Sequence, residues 1–176
     1  MSDSHKLADL VATLEELALR RRTRAIDFFN PYPKQAAFFA AGATHRERLL
    51  MAGNQQGKSY AGAYETACHL TGEYPDWWKG RRFTHAPRGW AAGESGSVVR
   101  NVSQAKLCGQ PGIDSAFGTG FIPRAAFAGK PTLAKGTADA FDTIFVQHKS
   151  GGIASLNFKS YEQDHTKLQG EGIDFI

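Results

Sequence analysis

Apolar positions along the chain shift between helical and strand spacing, and the shifts divide it into elements. Leu7, Leu10, Val11, Leu14 and Leu17 recur at helical spacing, which predicts a helix over residues 4–24 with Ser2, Asp3 and Ser4 as candidate caps. Pro31 and Pro33 break that helix, and the pattern restarts a second one through Ala41. The short run Leu49-Leu50-Met51 then reads as a strand, and Tyr60 to Leu70 returns to a helical period. Gly89 to Gly93 predicts a short buried strand, Ser95 to Cys108 a helix, and Gly109 to Gly129 a Gly/Pro-rich loop with a helical turn at Pro123-Arg124. The clearest β signal is Phe141–Lys149 and Ile153–Lys159 around Ser150-Gly151-Gly152, a hairpin whose turn suits positive φ. Both faces of its first strand are largely apolar, so both read as covered. Tyr161 to Gly170 is a polar connection, part of it helical, and Gly172-Ile173-Asp174-Phe175-Ile176 reads as a last apolar strand.

Between the run at 49–51 and the helix that follows lies Ala52-Gly53-Asn54-Gln55-Gln56-Gly57-Lys58-Ser59. Strand, polar Gly loop and helix, in that order, are the context in which G-x-x-x-x-G-K-[ST] makes a phosphate-binding loop. Such a loop turns successive backbone N–H groups, with the positive end of the helix, toward a β-phosphate. Gly57 allows close backbone approach, Lys58 reaches the β- and γ-phosphates, and the Ser59 hydroxyl is the candidate Mg²⁺ ligand. The first motif position is Ala52 rather than Gly, a small departure. The competing reading, a chance Gly-Lys-Ser turn, lacks the flanking strand and helix. Upstream, Tyr32 and Gln35 are candidates to hold an adenine: the ring by stacking, the amide by pairing donor and acceptor edges that guanine presents reversed.

Composition narrows the class. The 176 residues suffice for one domain with a core, and 41% apolar content fits a globular chain. No apolar run is long enough to span a membrane, and the charged N-terminus lacks the apolar centre of a signal peptide. Cys68 and Cys108 are isolated, which points to a reducing compartment. With 21 Lys and Arg against 17 Asp and Glu, the net charge of +4 is compatible with nucleic acid and does not by itself argue for it. Arg20, Arg21, Arg22 and Arg24 close the first helix, either as a docking surface or as a solvated face complementing the helix C-terminus. Trp77 and Trp78 either stack on bases or pin a loop to the core. His148 and His165 read as surface groups.

Pro31-Tyr32-Pro33-Lys34-Gln35, Arg48 to Gln55, Leu70 to Trp78 and Gly80-Arg81-Arg82-Phe83 together resemble the large terminase subunit of tailed bacteriophages. The resemblance runs from about residue 28 to the last residue. It implies an ATP-driven motor that packs double-stranded DNA into a procapsid, with an N-terminal ATPase domain and a C-terminal nuclease. On that basis the fold is expected to be α/β, an incomplete P-loop NTPase core with a mainly parallel sheet and a β-hairpin. Residues 1–29 would be a helical extension and 30–176 a partial ATPase domain, the nuclease being absent. The implied cofactors are ATP and Mg²⁺; the implied partners are double-stranded DNA, the portal, the small terminase subunit and further copies in a ring, with no membrane. The implied location is the bacterial host cytoplasm.

Two departures qualify the resemblance. The family's last strand runs into an Asp that holds Mg²⁺ through water and a Glu that orients the attacking water. Here that pair would lie beyond Ile176, and Asp174 comes too early for the role. The catalytic residues are thus unassigned, the chain alone is expected not to turn ATP over, and Ile173 and Phe175 are expected along an unpaired edge. Second, many members carry Arg where Asn54 stands, so the charge on the γ-phosphate would be met elsewhere, with Arg81, Arg82, Arg88, Arg100 and Arg124 as candidates. The alternatives are another P-loop nucleic-acid translocase or helicase, or a non-hydrolysing nucleotide-binding remnant.

Overall fold

The computed structural model describes residues 3–162 and 172–176. In chain order the elements are α1 (Asp3–Thr23), α2 (Pro33–Ala41), α3 (Lys58–Thr71), β1 (Arg88–Gly93), α4 (Gly96–Val98), a π-helical turn (Val99–Gln104), α5 (Ala105–Cys108), β2 (Thr132–Leu133), β3 (Phe141–Gln147) and β4 (Ile153–Ser160). The architecture is α/β. One sheet runs in the order β1-β4-β3-β2, and α3 packs on it with Ala61, Ala67, Cys68 and Leu70 fully buried. Small side chains at 61, 67 and 68 let the helix lie close to Ile144, Val146, Ala154 and Leu156 of the sheet, all of them in the same core.

The expectation of a mainly parallel sheet is corrected. Only β1 and β4 pair in parallel; β4 with β3 and β3 with β2 are antiparallel. The connection from β3 to β4, with Gly151 at φ +97°, is a hairpin turn far too short for a parallel crossover. The turn pattern at 150–152 thus marks a hairpin, as expected, within a sheet that is mixed. The run Leu49-Leu50-Met51 is no ladder strand either. Leu50 packs on the core while Leu49 and Met51 are 80% and 81% exposed, so the strand period is present. What is missing is a hydrogen-bonded neighbour among the described residues, without which alternation alone makes no strand.

The helix expected over 95–108 is present but broken in register by its π turn, with the Ser95 hydroxyl accepting from Val98 N. Buried Gln104 ties that turn to β3, donating to Asp139 O and accepting from Phe141 N, both at 2.8 Å. Residues 172–176 meet β1 through a single parallel bridge, Gly89 to Phe175. Phe175 does not lie open on an edge. Its ring covers Gly89, where a Cβ would sit 2.3 Å from Phe175 Cζ, and stands beside His69 and Phe83. Asp174 holds the segment through Arg88 N at 2.8 Å. Trp78 is buried against Phe39 and donates to Arg81 O, and Trp77 stacks on Tyr64, so the indole pair anchors its loop.

His148 is not a surface group: it is buried, whereas His165 lies outside the described residues. Its Nδ1 accepts from Ser150 N at 3.0 Å, and its Nε2 would stand 2.6 Å from a Cβ at Gly72. Burial, then the charge of His85, lowers its pKa below the ordinary 6.5. The unfolded chain therefore binds a proton that the native chain refuses, so this contribution to stability is present above about pH 6.5 and is lost as pH falls through the native value. Thermal melting is expected to show a drop from pH 7.5 to 5 that is smaller in His148→Gln than in the parent; equal drops would remove His148 as the cause.

Candidate nucleotide site

The eight-residue motif folds as a loop wrapped over the head of α3. Its two tight points are Gln55 at φ +60° and Gly57, the N-cap, at φ +75°. The first helical bond runs from Ala61 N to Gly57 O at 2.9 Å. Helix geometry thus leaves the N–H groups of Lys58, Ser59 and Tyr60 without intrahelical acceptors, and no side chain caps them. Lys58 Nζ reaches back across the loop and donates to Ala52 O at 2.6 Å and Gly53 O at 2.7 Å. That closes the loop into a ring and leaves one ammonium proton for another acceptor. Ala52 to Gln56 and Ser59 are exposed, and a shallow concavity of about 540 Å³ opens beside Leu50, Met51, Ala52 and Lys58.

This arrangement fits a polyphosphate. Free N–H groups at a helix head, a cation tethered among them and a glycine at the close-approach position are the donors such an anion requires. Ser59, exposed in the first turn, is the residue available to an accompanying Mg²⁺. Asn54 is exposed and brings no charge.

The two base candidates part company. Tyr32 is 69% exposed at the head of α2, while Gln35 is only 5% exposed. Gln35 Oε1 accepts from Tyr32 N at 2.9 Å, and Nε2 donates to Gly57 O at 3.2 Å. The amide is engaged at both ends by protein, one end at α2 and the other at the last loop residue.

One cluster behind the loop escapes motif reading. Glu65, on the buried side of α3, meets Arg48 Nη2 at 3.0 Å and His69 Nε2 at 3.6 Å. Arg48 Nη1 also donates to Phe38 O at 2.9 Å, and its guanidinium lies over the Phe38 ring. A Cβ at Gly42 would press on Arg48 Cζ at 2.9 Å. Arg48 therefore joins α2, α3 and the segment entering the loop. The helical i, i+4 spacing of Glu65 and His69 was the available signal, and an acidic side chain in an otherwise apolar helix face was its second half.

Comparison with known proteins bears on this geometry. The model of the family described as terminase large subunit, T4likevirus-type, N-terminal, matches residues 49–176. The chain belongs to the terminase large subunit family. It is also 34% identical over 193 aligned residues to the terminase large subunit of Salmonella phage P22. That alignment takes in 98% of the chain and 38% of the P22 protein, so the chain spans well under half of its relative's length. No solved structure matches it.

Within this terminase chain, four of the five candidate arginines for the γ-phosphate have side chains engaged elsewhere, and the exposed Arg88 is the exception. Arg81 lies over Phe83, Arg82 over Tyr74, and Arg124 over Phe117. Arg100 donates to Ala138 O at 2.7 Å, and the Arg88 backbone holds Asp174. The cation that the structure does bring to the loop is Lys58.

Removing Arg48 would leave the Glu65 carboxylate buried without its guanidinium partner. Breaking such a pair from one side costs about 3 kcal/mol. Arg48→Ala is therefore expected to lower the urea midpoint markedly, whereas an unchanged midpoint would show that the cluster holds nothing together.

Proposed function

We propose that this chain is the ATP-binding part of a DNA-packaging motor, its loop 52–59 gripping the β- and γ-phosphates of ATP. The observation that carries the reading is Lys58, tethered across its own loop by Ala52 O and Gly53 O at the uncapped head of α3. Backbone N–H groups of Gly53 to Ser59 would bind phosphate oxygens, Lys58 would supply the charge-assisted hydrogen bond, and Ser59 would ligate Mg²⁺. Bound Mg-ATP supplies the phosphoanhydride whose cleavage drives a packaging motor. The chain's own part is to hold and orient: the ring closed by Lys58 presets the loop, so little ordering remains for the moment of binding.

Family membership supports double-stranded DNA as the substrate that is moved, the packaging complex as the setting and the host cytoplasm as the place. In this reading the P-loop NTPase core spans residues 30–176, and α1 with its terminal arginines is a separate extension. Among the described residues no helix is long and apolar enough to cross a membrane.

Calorimetry with Mg-ATP tests the site. The parent chain is expected to bind, and Lys58→Ala to bind at least about tenfold more weakly, the loss of one charge-assisted bond to phosphate. Lys58 is half-buried and its Nζ closes the loop, so melting of the variant checks that the fold survives the change. Equal affinity in the two would show that the loop is not the site.

A further inference from the structure

Helix α1 carries a line of apolar side chains that the rest of the chain leaves uncovered. We propose that this line is a docking surface for a helix of another protein, one whose own apolar stripe is flanked by acidic side chains. The inference is independent of the nucleotide reading, since no residue of α1 takes part in the loop at 52–59.

Every residue from His5 to Thr23 is exposed, and none of them belongs to the hydrophobic core. Helices in proteins draw most of their stability from packing an amphipathic face. Leu7, Leu10, Val11, Leu14 and Leu17 make such a face here, and each remains between 38% and 63% exposed. The root of the helix is nevertheless fixed. Arg24 N donates to Arg20 O at 2.8 Å, and the Arg24 side chain meets Asp27 at 2.9 Å and Glu73 at 3.0 Å, which ties the helix end to the segment that follows α3. Arg21 also lies over the Phe28 ring. A helix anchored at one end, with its leucines open, is presented outward and not folded onto its own body.

Spacing and charge define the partner. Leu7, Leu10, Leu14 and Leu17 follow the three-four-three alternation of a coiled-coil seam, and the next two places in it are Arg21 and Arg24. The apolar contact therefore covers roughly two heptads and closes on cations. Between residues 6 and 20 the places bordering the seam are Lys6, Val11, Thr13, Ala18 and Arg20, all neutral or cationic, while Asp9, Glu15 and Glu16 lie away from it. Bordering charges select the partner of such a seam, and this border accepts acidic ones. A second copy matches poorly. In parallel it sets Arg21 against Arg21 within the seam, and antiparallel it brings Lys6 near Arg20 along the border. A nucleic-acid backbone would use the arginines and leave the leucines bare.

Two synthetic peptides of about three heptads serve as probes, both with Leu at the seam places, one with Glu and the other with Lys at the bordering places. Binding to the whole chain is read by fluorescence anisotropy. The Glu peptide is expected to bind at least about tenfold more tightly than the Lys peptide, with the gap narrowing as salt is raised. Leu10→Gln with Leu14→Gln should weaken the Glu peptide by about tenfold or more, and Arg20→Gln with Arg22→Gln should close most of the gap between the two peptides. Glutamine is nearly as good a helix former as leucine, and circular dichroism checks that α1 persists. Should the leucine variant lose its helix, the comparison of the two peptides on the parent chain decides alone. Equal affinity for the peptides, or no binding of either, would overturn the proposal. Sedimentation of the parent as a dimer that the leucine variant dissociates would assign the stripe to a second copy and overturn it too. Binding to phosphatidylglycerol vesicles or to a DNA duplex that is lost in the leucine variant would do the same.

Discussion

Burial of α3 is the constraint on which the rest depends. Ala61, Ala63, Tyr64, Glu65, Ala67, Cys68, His69, Leu70 and Thr71 are all buried, so the helix has little freedom except at its head. Phe29 and Phe121 stack around Tyr64, Trp78 and Phe39 close another side, and the sheet closes the third. Helix stability of this kind comes from tertiary packing more than from propensity, and Gly62, open on its Cβ side, marks where packing stops. The exposed end is the end that carries the loop. A rigid helix presenting an uncapped, solvent-facing head is what an anion site needs, because donors that do not move lose no order on binding.

The same packing explains the ionic cluster behind the loop. A carboxylate at Glu65 is costly inside an apolar helix face, and Arg48 offsets that cost only by being held in place. Phe38 O and the Phe38 ring hold it, so α2 takes part in the ion pair without contributing a charge. Gln35, three residues earlier on α2, grips Gly57 from the same helix. Helix α2 thus reaches α3 twice, once at the loop and once a turn or more below it. The two ties explain how a nine-residue helix fixes the geometry of a loop it does not adjoin in sequence.

Much of this was legible in the residues, where a pattern is local. The glycine turn at 150–152, the helix behind Lys58 and the break at Pro31 and Pro33 each follow from chemistry within a few positions, and the structure has all three. The mixed pairing of the sheet was not legible, because pairing direction depends on which strand lies beside which, and Phe141–Gln147 looks the same whether its neighbour runs up or down. His148 misled for a related reason: its polarity suggested solvent, while its burial is set by Thr71 and Gly72 at the far end of another helix. Gln35 stands out in the sequence by residue type alone. Its partner lay twenty-two residues on, which spacing within one helix does not reveal.

Charge at the loop is scarce. In the proposed site a triphosphate would bring several negative charges, and the loop offers one ammonium, two of whose three protons are held by Ala52 O and Gly53 O. Arg81, Arg82 and Arg124 are stacked on aromatic rings, and Arg100 is bonded to a backbone carbonyl, each in a contact that desolvates its face. Moving one of them to the loop would forfeit that contact before any phosphate contact formed. In the proposed site most of the charge on a bound polyphosphate would then fall to oriented N–H dipoles and to the Mg²⁺ that Ser59 would help to hold. Dipoles act only at short range and in fixed direction. The position of Gly57, where the Gln35 amide donates to the backbone, would therefore matter more to such a site than to one that has an arginine where Asn54 stands.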